Sequence, residues 1–413
     1  MKIAIIGAGP AGLMAASTIK GADEIAVFDS NEKAGKKLYL TGKGRCNVSN
    51  DCLAEEFLEN VVSNKRFLYS ALKALSPQDT IVFLEKYGTP LKIERGKRVF
   101  PKSDKASDIT KALLKAAAEN NVKFEFNSKV KSIEKIDNEF KITAETAICR
   151  SHFFNKIILA TGGKSYPATG SDGNMFKIVQ KMGHTIIPFK SALVPIILHD
   201  NIKPLEGLSL KNIKATVKTC QSSDDVFKFE HSFFGEMLFT SNGVSGPIIL
   251  SLSSFINKYD LSNTGLYIDL KPALTHEQLD IRILSDFEKN KNKQIKNTLD
   301  KLMPKALIDF CLEQSSLSRY REINGITKAE RTTLVKTIKG LKFSIKELAP
   351  LECGIVTAGG VDTKEINSKT MESKLIPNLY FAGEMIDIDA LTGGYNIQIA
   401  LSTGYLAGKN SGT

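Results

Sequence analysis

The chain has 413 residues, 42% of them hydrophobic and 24% charged, and contains no apolar run long enough to cross a bilayer. At roughly 150 residues per domain this length predicts two to three domains with sizeable cores, which excludes a peptide ligand, a disulfide-stapled toxin and a membrane-spanning protein. The net charge of +11 permits attraction to RNA, anionic lipid or acidic metabolites and chooses none of them.

The chain passes from Met1-Lys2 straight into Ile3-Ala4-Ile5-Ile6, so no export signal is expected ahead of the fold. Its six cysteines (Cys46, Cys52, Cys149, Cys220, Cys311, Cys353) include no Cys-x-x-Cys pair, and none of its five histidines has ligand spacing. No metal site is expected, and reduced thiols fit a cytoplasmic protein.

Residues 2–6 form a β-branched strand, 7–12 a glycine-rich turn, 13–20 a helix and 25–28 a second apolar strand, together one βαβ unit. Residues 51–120 read as mainly helical around a hairpin at 93–101. Strands return at 122–126, 129–136, 140–143 and 156–160, in an order that suggests a three-stranded sheet inserted into a parallel one. Residues 191–270 are rich in short strands, and 271–351 are charged and helical by composition, so 191–351 reads as an inserted module of two parts. The lysine run 288–296 has no interleaved aromatic residue and is expected to be a solvated helix face. The last segment, 352–413, resumes the opening style, so 1–190 and 352–413 are the two parts of one domain.

Gly7-Ala8-Gly9-Pro10-Ala11-Gly12 has the spacing and the strand–helix context of a dinucleotide-binding turn. Gly7 allows the tight turn, Gly9 the approach of a pyrophosphate and Gly12 close packing of helix on strand; Pro10 and Ala11 belong to the same turn, and free amides at the start of the following helix face the anion. Asp29 follows the second strand, where a carboxylate receives ribose hydroxyls. A hydrogen bond to a charged group is worth roughly 1.5–3 kcal/mol, more than the roughly 0.3–1 kcal/mol of the helix field. The loop with Lys36, Lys37, Thr41, Gly42, Gly44, Arg45, Cys46 and Asn47 would wrap further along the same ligand, and NAD needs no such loop. For Cys46, packing is preferred to redox chemistry, because no neighbouring cysteine is placed to resolve a disulfide.

With Gly42-Lys43-Gly44-Arg45-Cys46-Asn47, Ala160-Thr161-Gly162-Gly163, Thr240-Ser241-Asn242-Gly243-Val244-Ser245-Gly246-Pro247, Ala382-Gly383-Glu384 and Gly393-Gly394-Tyr395-Asn396-Ile397-Gln398, the whole chain resembles the flavoproteins called the HI0933-like or BaiN-like family. The resemblance implies an α/β fold: a split Rossmann-like FAD-binding domain with an inserted β-barrel-like plus helical module. It also implies main-chain contact of Val130 with adenine, close passage of Ala160, Thr161 and Gly162 beside the adenosine and pyrophosphate, and a ribityl contact from Gly383 with Glu384, Asp387 or Asp389. Gly394, Asn396 and Ile397 would aim a helix start at the flavin. Tyr166 and Tyr395 are further wall candidates, and no catalytic acid or base is assigned.

The resemblance further implies an FAD-dependent oxidoreductase acting on a small molecule. The leading expectation is NAD(P)H-linked reduction of an unsaturated or carbonyl substrate, with NAD(P)H visiting the substrate cleft, since no second G-x-G-x-x-G is found. The alternatives are an FAD-dependent oxidase of a small amine such as aminoacetone and, on the +11 charge, an RNA-associated flavoprotein. Nucleic acid is not the expected partner.

Overall fold

The computed structural model describes residues 1–145, 150–220 and 227–412; Cys149 lies outside them. The chain divides into two compact units, Met1–Ala192 with Pro350–Thr413, and Leu193–Ala349.

The first unit is built on a five-stranded sheet in the order Leu379–Phe381, Lys156–Leu159, Lys2–Ile6, Glu24–Phe28, Lys123–Glu125. All four pairings are parallel. The near-continuous apolar runs of the central strands are those of a sheet covered on both faces. One part of the cover is the helix Pro10–Thr18, which begins earlier than the apolar spacing suggests because Pro10 takes the first helical position after Gly9.

The helix Tyr395–Ser411 lies against Pro10–Thr18 along a stripe of glycines. A Cβ on Gly404 would meet the Ala11 carbonyl oxygen at 2.2 Å, and one on Gly408 would meet Thr18 Oγ1 at 2.2 Å and Ala15 O at 2.4 Å. Beyond the helix, Gly412 backs onto Lys20 O at 2.3 Å. The contacts advance in the same order along both segments, so the two helices run parallel. With residue 404 beside residue 11 and about 1.5 Å of rise per residue, Tyr395 starts its helix roughly 12 Å ahead of Pro10.

The three-stranded antiparallel sheet consists of Lys129–Ile136, Glu139–Glu145 and Arg150–Phe154. This corrects the expected membership: Lys123–Glu125 belongs to the parallel sheet, and Arg150–Phe154, which lacks a period-two apolar pattern, is the third strand. The hairpin is Leu91–Glu94 with Arg98–Pro101, joined by Ser49–Asn50.

The second unit contains a closed six-stranded barrel in the order Ile196–Leu198, Gly243–Ser245, Phe227–Phe239, Ser209–Cys220, Thr264–Asp269, Leu341–Leu348. The last strand lies within the stretch expected to be helical. Its buried Leu341, Phe343 and Ile345 alternate with Lys342, Ser344 and Lys346, a period of two that charged composition disguises. Between the last two barrel strands come helices His276–Glu288, Lys305–Gln314 and Lys328–Lys339, and their buried residues share one core with the barrel. The lysine run is a second correction: the helix stops at Glu288, Lys289 and Lys291 follow in a turn, Lys293 in a bend, and Lys296 stands in the single 3-10 turn Ile295–Asn297.

The 240–247 motif is a turn, a strand and a helix start in sequence, with Thr240 N–H donating to Gly243 O at 2.8 Å. A Cβ on Gly243 would meet Ile196 O at 2.1 Å, so this glycine lets two barrel strands close. Among the described residues no helix is long and apolar enough to cross a membrane.

Candidate functional site: a dinucleotide cradle

The carboxyl ends of the parallel strands are where ligands of open α/β sheets bind, and the candidate residues collect there. Gly7 leaves its strand with φ +107° and donates its N–H to Phe28 O at 2.8 Å; a Cβ on it would meet Ala160 O at 2.4 Å. Gly12 is packed tighter still, with Gly7 O 1.9 Å from its Cβ position. Gly9 differs from both: an added Cβ would meet nothing within 4 Å. The protein fills the space beside the outer two glycines and leaves open the one that a pyrophosphate would approach. Helix Pro10–Thr18 has no side-chain cap, so its first amides, Ala11 among them, face that space.

Asp29 is held in place at this edge. Ala8 N–H donates to Oδ2 at 2.7 Å, and the backbone and side-chain amides of Asn31 both donate to Oδ1 at 2.8 Å. A carboxylate accepts about four hydrogen bonds, which leaves capacity for a ribose hydroxyl. Ala160 joins the opening strand through its N–H to Ile6 O at 2.8 Å. Thr161 Oγ1 touches Met385 Sδ at 3.2 Å, and Gly162, at φ +79°, backs onto Ser171. Val130 is nearly buried and pairs with Ala144 beside a bulge.

The 35–50 loop divides its labour. Lys36 pairs with exposed Glu32 at 3.5 Å, whereas Lys37 Nζ lies 2.7 Å from Glu384 Oε2 and 2.6 Å from Ser165 Oγ. Glu384 Oε1 accepts from Thr357 N–H at 2.7 Å and from Ser165 Oγ at 3.2 Å. Both Glu384 oxygens are thus engaged by the protein itself, and the acid secures Lys37 across the sheet edge. Asp387 accepts from Gly359 N–H at 3.1 Å and from Asn64 Nδ2 at 2.9 Å, and burial pushes its carboxyl above the usual range. Gly383, at φ +69°, donates its N–H to Thr403 Oγ1 and stands against Ala11.

Arg45 is drawn away from a cofactor role for its side chain. Its guanidinium forks onto Glu94 at 2.8 and 3.2 Å, reaches Asp104 at 3.2 Å and lies 4.1 Å from the Phe100 ring centroid. Gly42 and Gly44 take left-handed conformations in the exposed part of the loop, and Thr41 Oγ1 folds back to Leu38 O at 2.7 Å. Cys46 is fully buried, and burial pushes its thiol up to about 12.

Gly394, at φ +98°, caps the terminal helix, and Ser49 O would lie 2.2 Å from its Cβ. The first intrahelical bond is Gln398 N–H to Gly394 O, so the amides of Tyr395, Asn396 and Ile397 precede the helix's own pairing. The Asn396 side chain serves the neighbouring loop, accepting from Ala390 N–H at 2.9 Å and donating to Ala390 O at 2.7 Å. Tyr395 is buried against Phe57, its phenol raised by burial, and is a packing residue rather than a wall. Tyr166 takes φ +53° ahead of a short turn.

Gln398 carries a buried network that sequence reading missed. It accepts from Ser49 Oγ at 2.6 Å and donates to Thr80 Oγ1 at 2.8 Å and Ser402 Oγ at 3.0 Å, fastening the helix start to the loop. Its place in the Gly-Gly-Tyr-Asn-Ile-Gln motif was the available signal. Beside the same helix start, Asn47 Oδ1 and the Oδ1 of buried Asn50 accept no hydrogen bond among the described residues. Orphaned buried acceptors are expensive, roughly 1–3 kcal/mol each, and a ring N–H of a bound ligand is what they suit.

An open glycine turn, a fixed ribose carboxylate and two parallel helix starts roughly 12 Å apart suit a dinucleotide that carries a flavin at its far end. The residues present therefore fit FAD, and the fold and site define an FAD-dependent oxidoreductase. The family model described as the HI0933-like protein Rossmann domain matches residues 1–410, and the chain belongs to that family. It is 30% identical to a ribosomal RNA dihydrouridine synthase of Haemophilus influenzae, covering 97% of this chain and 96% of that one. It is 28% identical to a 3-dehydro-bile acid delta(4,6)-reductase of Clostridium scindens, covering 99% and 98%. Among solved structures, a 3-ketosteroid-delta4-(5alpha)-dehydrogenase of Rhodococcus jostii shares the fold with a TM-score of 0.53 at 13% identity, covering 100% of this chain and 96% of that one.

Proposed function

We propose that this flavoenzyme reduces a carbon–carbon double bond conjugated to a carbonyl, using a reduced nicotinamide as donor, and that its substrate is a uracil ring in RNA. The redox half is supported above all by the paired helix starts at Pro10 and Tyr395. The substrate half rests on the likeness to a ribosomal RNA dihydrouridine synthase along nearly the full length of both chains. The bile acid reductase has the same bond chemistry in its name, which is why the reaction class is broader than either substrate.

Bound FAD supplies a two-electron carrier, so that a hydride from NAD(P)H and a proton from solvent end on the two carbons of the double bond and NAD(P)⁺ is released. The chain's own residues bind and tune. The amides of Asn396 and Ile397 stabilise negative charge at the helix start. Asn47 and Asn50 offer acceptors to ring N–H groups, and Asp29 holds the ribose. Lys37 places a cation at the sheet edge, with Glu384 holding it there.

The test is anaerobic. Purified holoprotein should be yellow, bleach with NADH or NADPH, and regain its colour on adding unmodified ribosomal RNA, with nucleoside mass analysis showing two hydrogens gained per converted uridine. Reoxidation by a 3-oxo-Δ4 steroid and not by RNA would move the substrate to the second reading, a free cyclic enone, which the bile acid reductase likeness favours. Bleaching by aminoacetone and by neither nicotinamide would replace the reductase with an oxidase.

A further inference from the structure

The lysine-rich run has no aromatic partner in sequence, and the fold of the second unit supplies one. Beyond helix His276–Glu288, residues 289–297 lie alongside residues 319–325. Ile295 N–H donates to Arg321 O at 2.9 Å, Ile323 N–H to Lys293 O at 3.1 Å and Asn324 N–H to Lys291 O at 3.2 Å, with an antiparallel bridge between Gln294 and Glu322. Ile295 and Ile323 are buried and anchor this short ribbon in the unit's core. Lys289, Lys291 and Lys293 are exposed.

On the ribbon stands Tyr320, with 62% of its surface exposed. Lys296 Nζ lies 4.4 Å from its ring centroid and the Arg319 guanidinium 5.6 Å. Arg319 is tethered to Asp309 at 3.0 Å, and Arg321 donates to Gly325 O at 2.8 Å. Among the described residues no ion pair occupies Lys289, Lys291, Lys293 or Lys296. The ribbon therefore combines uncommitted ammonium groups with an exposed ring held between cations. Single-stranded RNA requires that pairing, since its phosphates seek cations and its unstacked bases seek an aromatic face.

We propose that the ribbon of residues 289–297 and 319–325 is a docking surface for single-stranded RNA, with Lys289, Lys291, Lys293 and Lys296 on phosphates and Tyr320 stacked on a base. This rests on the reading of RNA as substrate and names the surface that holds it.

The experiment follows fluorescence anisotropy of a labelled oligouridine against the holoprotein across a salt series. Wild-type affinity should fall steeply with salt. A Lys289→Glu/Lys291→Glu/Lys293→Glu variant should bind at least tenfold more weakly at low salt, with a log–log salt slope shallower by about 2, at about 0.7 for each phosphate that no longer meets a lysine. Tyr320→Ala should weaken binding about tenfold with the slope unchanged, and Tyr320→Phe should bind as wild type. All variants should keep wild-type FAD absorbance and nicotinamide bleaching, which reports an intact fold. Wild-type affinity and slope in the triple variant would overturn the docking assignment, as would lysine-dependent capture on anionic phospholipid vesicles with no binding of oligouridine. Wild-type protein that binds RNA through these residues yet leaves every uridine unreduced would retain the docking surface and sink the substrate reading. Reduction of RNA uridine by the triple variant with an unchanged KM would sink the docking surface alone.

Discussion

Two helices of this chain open with the same dipeptide, Gly9-Pro10 in the first unit and Gly246-Pro247 in the second. Gly246 sits at φ +97°, and a Cβ on it would meet Met237 Cα at 2.9 Å and Glu236 O at 3.2 Å. Conformation and packing both require that glycine. Gly9 sits at φ −77° in extended backbone, with open space at its Cβ position. Nothing in the polypeptide itself requires a glycine there, and the open space is where a pyrophosphate would approach. One sequence pattern serves two ends, and the neighbours decide which.

The largest effect is expected from closing the helix pair that carries the two starts. Gly404→Val drives a side chain into the Ala11 carbonyl and should cost about 3 kcal/mol or more, with a lower Tm and lost FAD absorbance. Gly246→Ala should cost about 2 kcal/mol through left-handed strain and crowding, yet purify with full FAD content. Lys37→Met leaves half-buried Glu384 without its cation and should cost about 1–2 kcal/mol, between the values for exposed and buried pairs. Gly9→Ala sharpens the comparison most: the apoprotein should unfold within about 0.5 kcal/mol of wild type, while FAD titration shows affinity down roughly tenfold because the pyrophosphate can no longer approach the backbone closely. An apoprotein Tm as low as that of Gly246→Ala would break the contrast. The smallest effect is a null: iodoacetamide at neutral pH should label exposed Cys353 and leave buried Cys46 unmodified in peptide mapping of the folded protein.

What was legible in the sequence was local. The βαβ unit and its glycine turn could be read because the G-x-G-x-x-G spacing and the flanking strand and helix lie within thirty residues, although the carbonyl that crowds Gly7 belongs to distant Ala160. Asp29 was legible from its place after a strand. The long-range partnerships were not. Nothing near Arg45 announces that Glu94 and Asp104 will claim its guanidinium, and Lys37 meets Glu384 across 347 residues of sequence, from a loop well past its own strand. Strand Leu341–Leu348 hid behind its lysines, and Arg150–Phe154 behind an irregular pattern. Tyr320 comes beside Lys296 through backbone pairing between segments that composition treats separately.

The glycine stripe at 404 and 408 has a consequence for biosynthesis. The opening turn emerges early from a ribosome, but the surface that completes its cradle is made only when residues 395–411 have followed. Domains assemble from the amino end as they are synthesised, so nascent chains hold a half-built pocket with an uncovered apolar helix for most of translation. Flavin loading is thus a late event, and vitamin-starved cells should accumulate chains that are full-length, empty and readily cleaved by proteases.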